Sequence, residues 1–295
     1  MSEQTLISLL DIRDVRVLER LRLKPRKSFT GRVRGERLAR EKGVSLEFKD
    51  YREYSDGDDL RHLDWNVLAR LGVPIVKTYQ DEEDLPVYLL VDSSKSMDYG
   101  EPGKLRMAVR LAAAFGVVAA RGGDSVQGVS LADMPSRTRF LRGRRGVVTL
   151  MGWLDSIRGK GERPVAFHLK QAAKVMGRTG LAVLLTDGMD EHLAPSLGQL
   201  SAAGHEVWVV QILSPFELDP GIEGDLRLID AESGSAVEIT ANGPTMEAYR
   251  KNLTAHNETL KQSVLRYGGR YTLVSSADSV SKIFSEVFKK AGWVE

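Results

Sequence analysis

Two nearly uninterrupted apolar runs, Val87–Val91 and Leu181–Thr186, each lead directly into an aspartate, Asp92 and Asp187. A strand apolar on both faces has to be covered on both, which is the condition of a parallel sheet held between helices. The segments around these runs supply the helices. In Lys104–Ala120 apolar residues stand at 105, 108, 111, 112 and 115, one stripe of a helix that Gly122-Gly123 stops. Val147–Ile157, Val165–Met176 and Leu193–Ala203 read as further helices, and Val126–Leu131 and Val207–Leu213 as further buried strands. A long helix over Thr245–Tyr267, a strand over Tyr271–Val274 and a helix over Ser279–Ala291 end the pattern. This alternation predicts an α/β fold with a doubly wound, mostly parallel sheet and helices on both faces.

The rest of the chain is of a different kind. Leu6, Leu9, Leu10, Val15, Val17, Leu18 and Leu21 recur at roughly helical spacing, so residues 1–25 read as a helix that Pro25 closes. Residues 26–43 are basic and glycine-punctuated, a loop or arm. Short strands over Val44–Phe48 and Val73–Tyr79 flank a turn, Ser55-Asp56-Gly57-Asp58, and a helix around Trp65–Leu71. Residues 1–85 are therefore expected to form an extension of helix, basic arm and small β segment, and residues 86–295 the main domain. Leu226–Asp230 and Ala236–Thr240, separated by Glu232-Ser233-Gly234, predict a hairpin inserted into that domain at about residues 219–243.

Composition removes several classes of function. Without cysteine the chain has no disulfide framework, zinc–thiolate site or thiol nucleophile. Met1–Leu18 lacks a basic segment followed by a long apolar core, and Leu111–Ala120 is too short to span a bilayer, so a soluble, cytoplasmic protein is expected. Residues 11–42 carry twelve Lys or Arg against five Asp or Glu, while Asp81-Glu82-Glu83-Asp84 is wholly acidic. The basic stretch lacks the interleaved aromatics of a single-strand binder, which argues against nucleic acid and for a solvated arm or partner surface. The tract Arg137–Arg145 reads as a solvated hairpin or loop.

Chemistry concentrates after the first buried strand. In open parallel sheets ligands bind beyond the carboxyl ends of the strands, where Asp92 and Asp187 both fall. Asp92-x-Ser94-x-Ser96 adds two hydroxyls, and the four side chains converge if the two strands are neighbours. Such hard oxygens suit Mg²⁺, with Mn²⁺ or Ca²⁺ as alternatives. The competing reading is helix capping, which a Ser or Asp performs for about 1 kcal/mol. The five histidines, His62, His168, His192, His205 and His256, have no metal or triad spacing and read as surface or capping residues. Gly100-Glu101-Pro102-Gly103-Lys104-Leu105 has neither the glycine–lysine spacing nor the following Ser or Thr of a phosphate loop. A G-x-S-x-G nucleophile elbow is also absent from the sequence.

Leu90-Val91-Asp92-Ser93-Ser94-Lys95-Ser96-Met97 resembles the metal-ion-dependent adhesion motif of von Willebrand factor A domains, and Thr186-Asp187-Gly188 resembles the later aspartate motif of that fold. Upstream, Tyr51-Arg52-Glu53-Tyr54, Gly57-Asp58-Asp59-Leu60-Arg61, Asp64-Trp65 and Ala69-Arg70 resemble the signature of the bacterial family Domain of Unknown Function 58. The resemblance spans roughly residues 20–290. It implies a von Willebrand A-like, Rossmann-type sheet in a non-enzymatic adaptor. It also implies a MoxR-type AAA+ ATPase as partner, in chaperone-like assembly or activation of client proteins. Asp92, Ser94, Ser96 and Asp187 are implied to hold Mg²⁺, with a partner's carboxylate completing the shell. The family's threonine is not matched, because Gly161-Glu162-Arg163-Pro164 stands there with Arg163 in its place. A guanidinium about 4 Å away would oppose a cation by on the order of 4 kcal/mol at an effective dielectric of about 20, so a degenerate site stands beside a working one.

The charges around Trp65, namely Arg52, Asp58, Arg61, Asp64 and Arg70, read either as a partner-recognition surface or as an ion-pair network pinning the extension to the main domain. A second class of function remains open: a divalent-metal-dependent, phosphoesterase-like hydrolase using Asp92 and Asp187. Its nearby candidates for a nucleophile or base are Asp98 and Asp190.

Overall fold

A computed structural model describes residues 9–27, 29, 47–55, 58, 60, 63–80, 84–133, 136–159, 163–222, 224–229 and 235–295. The chain divides into two units, the larger taking Leu85–Glu295 together with the chain up to Phe29, the smaller Thr30–Asp84.

In the larger unit α1 (Ile12–Leu18), the first helix whose whole range is described, opens with a capping box in which Asp11 and Asp14 satisfy each other's backbone N–H. It is far shorter than a helix over residues 1–25. Beyond it the chain extends, and Leu23 forms a bridge to Val294. Residues 1–8 lie outside the described residues. Arg110 donates to the Leu9 carbonyl at 3.0 Å and to Asp14 at 3.2 Å. This chain start therefore packs with the main domain, whereas the sequence grouped it with the small β segment.

The smaller unit pairs β1 (Glu47–Glu53) antiparallel with β2 (Ile75–Gln80), and helix α2 (Trp65–Leu71) lies between them in sequence. β1 runs later than the expected Val44–Phe48, through Tyr51, Arg52 and Glu53 opposite Lys77, Val76 and Ile75. Its residues are mostly polar, so ladder pairing rather than apolar patterning sets its limits. Residues 44–46 lie outside the described residues.

The main sheet consists of β3 (Pro86–Asp92), β4 (Ser125–Leu131), β5 (Leu181–Thr186), β6 (Glu206–Leu213) and β9 (Arg270–Ser275). All pair parallel in the order β4-β3-β5-β6-β9. The first four are buried at every residue. Alternate side chains divide between two cores. Leu89, Val91, Val183 and Val210 face α3 (Lys104–Arg121), α4 (Gly143–Asp155) and a closing helical segment in which Ile283–Phe288 are π-helical. Tyr88, Leu90, Leu184 and Val209 face α5 (Val165–Val175), α6 (Leu193–Ala202) and α8 (Gly243–Arg266). A four-residue helix, α7 (Pro215–Leu218), follows β6. β7 (Gly224–Ile229) and β8 (Ala236–Ala241) form the expected hairpin.

The Arg137–Arg145 tract is not simply solvated loop. Arg137 and Leu141 bridge antiparallel to Val129 and Val126 of β4, giving the sheet an irregular edge, and α4 begins at Gly143. From β3 the chain crosses one way to β4, then back past β3 to β5, β6 and β9. The order reverses between β3 and β5, the switch point at which open α/β sheets bind ligands. Among the described residues no helix is long and apolar enough to cross a membrane.

Candidate functional site

Asp92 closes β3 and Asp187 follows β5, and because these strands are hydrogen-bonded neighbours the two carboxylates meet at the switch point. Both are buried, at 1% and 3% exposure. Asp92 Oδ1 accepts from the Ser94 N–H at 3.0 Å, and its Oδ2 accepts from the Thr186 hydroxyl at 2.6 Å. Thr186 in turn accepts from the Gly188 N–H at 3.0 Å, and Gly188, at φ 70°, takes the left-handed turn out of β5. The Ser94 and Ser96 hydroxyls lie 3.0 Å apart. Asp92, Ser94, Ser96 and Asp187 open onto one pocket of about 350 Å³, walled by Pro164, Val165 and Asp190.

Lys104 supplies a cation. Its Nζ lies 3.1 Å from Asp187 Oδ2 and 2.6 Å from Glu217 Oε1, with the side chain only 2% exposed. Burial opposes that ammonium, but the two carboxylates outweigh it and hold the Lys104 pKa above its ordinary value. Among the described residues no cation pairs with Asp92. Burial first, then the charge of Asp187, push its carboxyl up to about 7, against the hydrogen bonds from Thr186 and Ser94.

The donor set fits a hard divalent cation. Two buried carboxylates and two hydroxyls face one pocket, all of them oxygens of the type Mg²⁺ prefers. Among the described residues no three carboxylate or imidazole side chains converge as a metal cluster, so at this pocket the two carboxylates have only hydroxyls beside them. The four residues expected from sequence are thus brought together. Arg163 is not where the motif comparison put it. Its guanidinium carbon sits 4.7 Å above the Phe167 ring, and the side chain lines a neighbouring cavity instead of the Asp92 pocket. Sequence reasoning missed Lys104 and the role of Thr186. The one available signal was a lysine opening a helix of otherwise buried residues, read only against a phosphate loop.

Arg52, Asp58 and Asp64, three of the charges around Trp65, make local contacts. Arg52 grips Asp58 with two hydrogen bonds of 2.7 and 2.6 Å, and the Ser55 N–H donates to the same carboxylate at 2.9 Å. Together these hold Asp58 below the usual carboxylate range. Asp64 caps α2 by accepting from the Asn66 and Val67 N–H groups. Trp65 is 60% exposed and Arg70 ends the helix exposed, while Arg61 lies outside the described residues. The described Arg52–Asp58 pair closes within the smaller unit. The histidines also need correction, since His168 and His205 are buried.

Fold and site together define an α/β protein with a doubly wound parallel sheet and an aspartate–hydroxyl edge at its switch point. The family model described as Protein of unknown function DUF58 matches residues 50–259. The chain belongs to that family. It is 28% identical over 257 residues to the uncharacterized protein Rv1480 of Mycobacterium tuberculosis, covering 84% of this chain and 80% of that one. The same figures hold for Mb1516 of Mycobacterium bovis. Among solved structures, the conserved hypothetical protein BatB of Bacteroides thetaiotaomicron is 18% identical, with a TM-score of 0.44 over 70% of this chain and 98% of that chain. An aerotolerance-related membrane protein of Bacteroides fragilis is 20% identical, with a TM-score of 0.43 over 70% and 99%.

Proposed function

We propose that this chain is a non-enzymatic interaction module that binds one divalent cation, Mg²⁺ in the first place, at Asp92, Ser94, Ser96 and Asp187. Through that ion it would take up an acidic side chain of a partner protein. The observation that carries the reading is the pairing of buried Asp92 and Asp187 on one pocket, with Lys104 neutralising only the second. A cation relieves that charge, and two carboxylates with two hydroxyls leave room in its shell for a partner's carboxylate. A MoxR-type AAA+ ATPase as partner, client assembly or activation as the task, and the cytoplasm as location belong to the same reading, on the family resemblance. A hydrolase has less support, because both Asp190 oxygens accept backbone N–H groups, from Ala166 and from His192, as a cap does.

Calorimetric titration of Mg²⁺ into metal-free protein tests the site, with one ion bound by the wild type and none by Asp92→Asn. A wild type as indifferent to Mg²⁺ as the variant ends the metal reading. Capture of the ATPase is expected with Mg²⁺ and not with chelator; equal capture in both removes the metal from partner binding.

A further inference from the structure

A second cavity, of about 750 Å³, opens beside β4 and α5, within the size range of small-molecule sites. Its floor is apolar, from Val129 and Leu131 of β4 and Ala172 of α5. Phe167 and Val175 wall it while remaining 40% and 53% exposed, a large apolar area left in contact with water.

Two arginines reach this cavity from different elements. Arg163 lies over the Phe167 ring, and Arg137 donates to the Val175 carbonyl at 3.2 Å. Among the described residues neither guanidinium forms an ion pair with a carboxylate, so both keep donors for an incoming anion. His168, only 6% exposed, lines the same cavity, and its Nε2 has no hydrogen-bond partner. Asp133 Oδ1 approaches that nitrogen to 3.3 Å without the alignment of a hydrogen bond. A buried ring nitrogen whose nearest acceptor is poorly aligned is better satisfied by a ligand that completes it.

We propose that this cavity binds a small organic anion, with its carboxylate or phosphate head between Arg137 and Arg163 and its flat apolar body against Phe167 and the Val129–Leu131 floor. His168 faces the polar end of such a ligand. Asp133 repels a negative head on its own side and so directs it toward the arginines. Arg163, out of place for the adhesion motif, has a use here, and the site does not depend on the Asp92 edge.

Naphthoate, naphthyl phosphate and neutral naphthol, titrated into the 295-residue protein by calorimetry or ligand-observed NMR, make the test. At least one anion should bind the wild type about tenfold more tightly than naphthol, the worth of one charge-assisted contact. The tighter of the two identifies the head group as carboxylate or phosphate. Arg163→Gln, a change at an exposed side chain, should erase the preference for the anion. Phe167→Ala should weaken all three ligands, and Asp92→Asn should change none. No binding to the wild type at millimolar concentration would overturn the proposal. So would naphthol binding as tightly as both anions, or anion affinity unchanged in both Arg163→Gln and Arg137→Gln.

Discussion

Lys104 and Asp92 set the charge of the switch-point pocket in opposite ways. Lys104 is bound by Asp187 and Glu217 and almost wholly buried, so replacing it by Met strands two carboxylates. Breaking such a pair costs about 3 kcal/mol or more, and the metal-free protein should unfold at correspondingly lower urea. Because the lysine competes for Asp187, the same variant should bind Mg²⁺ more tightly and recover much of the loss when Mg²⁺ is added. Recovery no greater than in the wild type would show that lysine and ion do not compete. Asp92 follows the opposite sign. Its folded pKa of about 7 lies above the ordinary 3.8, so between those values the native state holds a proton the unfolded chain has lost. Metal-free stability from this group therefore falls as pH rises through that window. Asp92→Asn should be more stable than metal-free wild type above pH 7, with the difference closing toward pH 4 in urea titrations. The aspartates and serines were legible in the sequence because a strand end and its loop are local. The parts played by Lys104 and Thr186 were not, since they depend on which helix start and which strand end face each other.

Elements were legible where burial alone dictates them. β3 and β5 are apolar at nearly every position and occur where expected, whereas β1 is polar and is placed by pairing with β2. The irregular edge at Arg137–Leu141 was hidden because its hydrogen bonds to β4 run through the backbones of Ser136, Thr138 and Leu141, which the arginine-rich side-chain pattern does not report. Packing between elements shows at Gly128 of β4, where an added Cβ would lie 2.3 Å from the Trp153 ring of α4. The indole is held by its N–H to Ser136 at 3.2 Å, so the ring cannot simply turn away. Gly128→Ala should cost about 1–3 kcal/mol in chemical unfolding; an unchanged midpoint would mean that α4 shifts freely on the sheet. At the start of β6, His205 accepts from the Gly180 N–H through Nδ1 at 3.3 Å and stands edge-on to Tyr88. Burial foremost, with Lys27 nearby, lowers its pKa from 6.5. Its stabilising contact is whole above that value and is lost as pH falls below 6.5 through the lower folded pKa, because the unfolded chain binds the proton first. His205→Asn keeps an acceptor for Gly180 and should flatten this part of the acid limb.

On the scale of the larger unit, the two ends of the sheet do different work. The carboxyl end holds the charged pocket. The amino end is a clasp in which chain start and chain end are sewn together: Arg22 and Glu295 exchange backbone hydrogen bonds of 3.0 Å, and Lys24 N–H donates to Trp293 at 2.8 Å. Glu206, at 1% exposure, anchors the clasp from the start of β6. One carboxylate oxygen accepts from the Arg26 and Lys27 N–H groups at 2.7 and 2.8 Å, the other from Trp208 Nε1 at 2.7 Å. Arg270 lies 3.5 Å from the same carboxylate, stacks on Trp208 and donates to the Lys24 carbonyl. Such a hub joins β6, β9 and both chain ends through one buried charge, so its loss is felt by all of them at once. Glu206→Gln turns one acceptor into a donor facing either Trp208 N–H or the two backbone N–H groups, and it leaves Arg270 without its counter-charge. The expected cost is about 3 kcal/mol, with faster hydrogen exchange at Arg26, Lys27 and Trp293. Mg²⁺ affinity should be unchanged, because the ion is proposed at the other end of the strands. A variant that lost Mg²⁺ binding along with the clasp while remaining folded would show that the sheet couples its two ends.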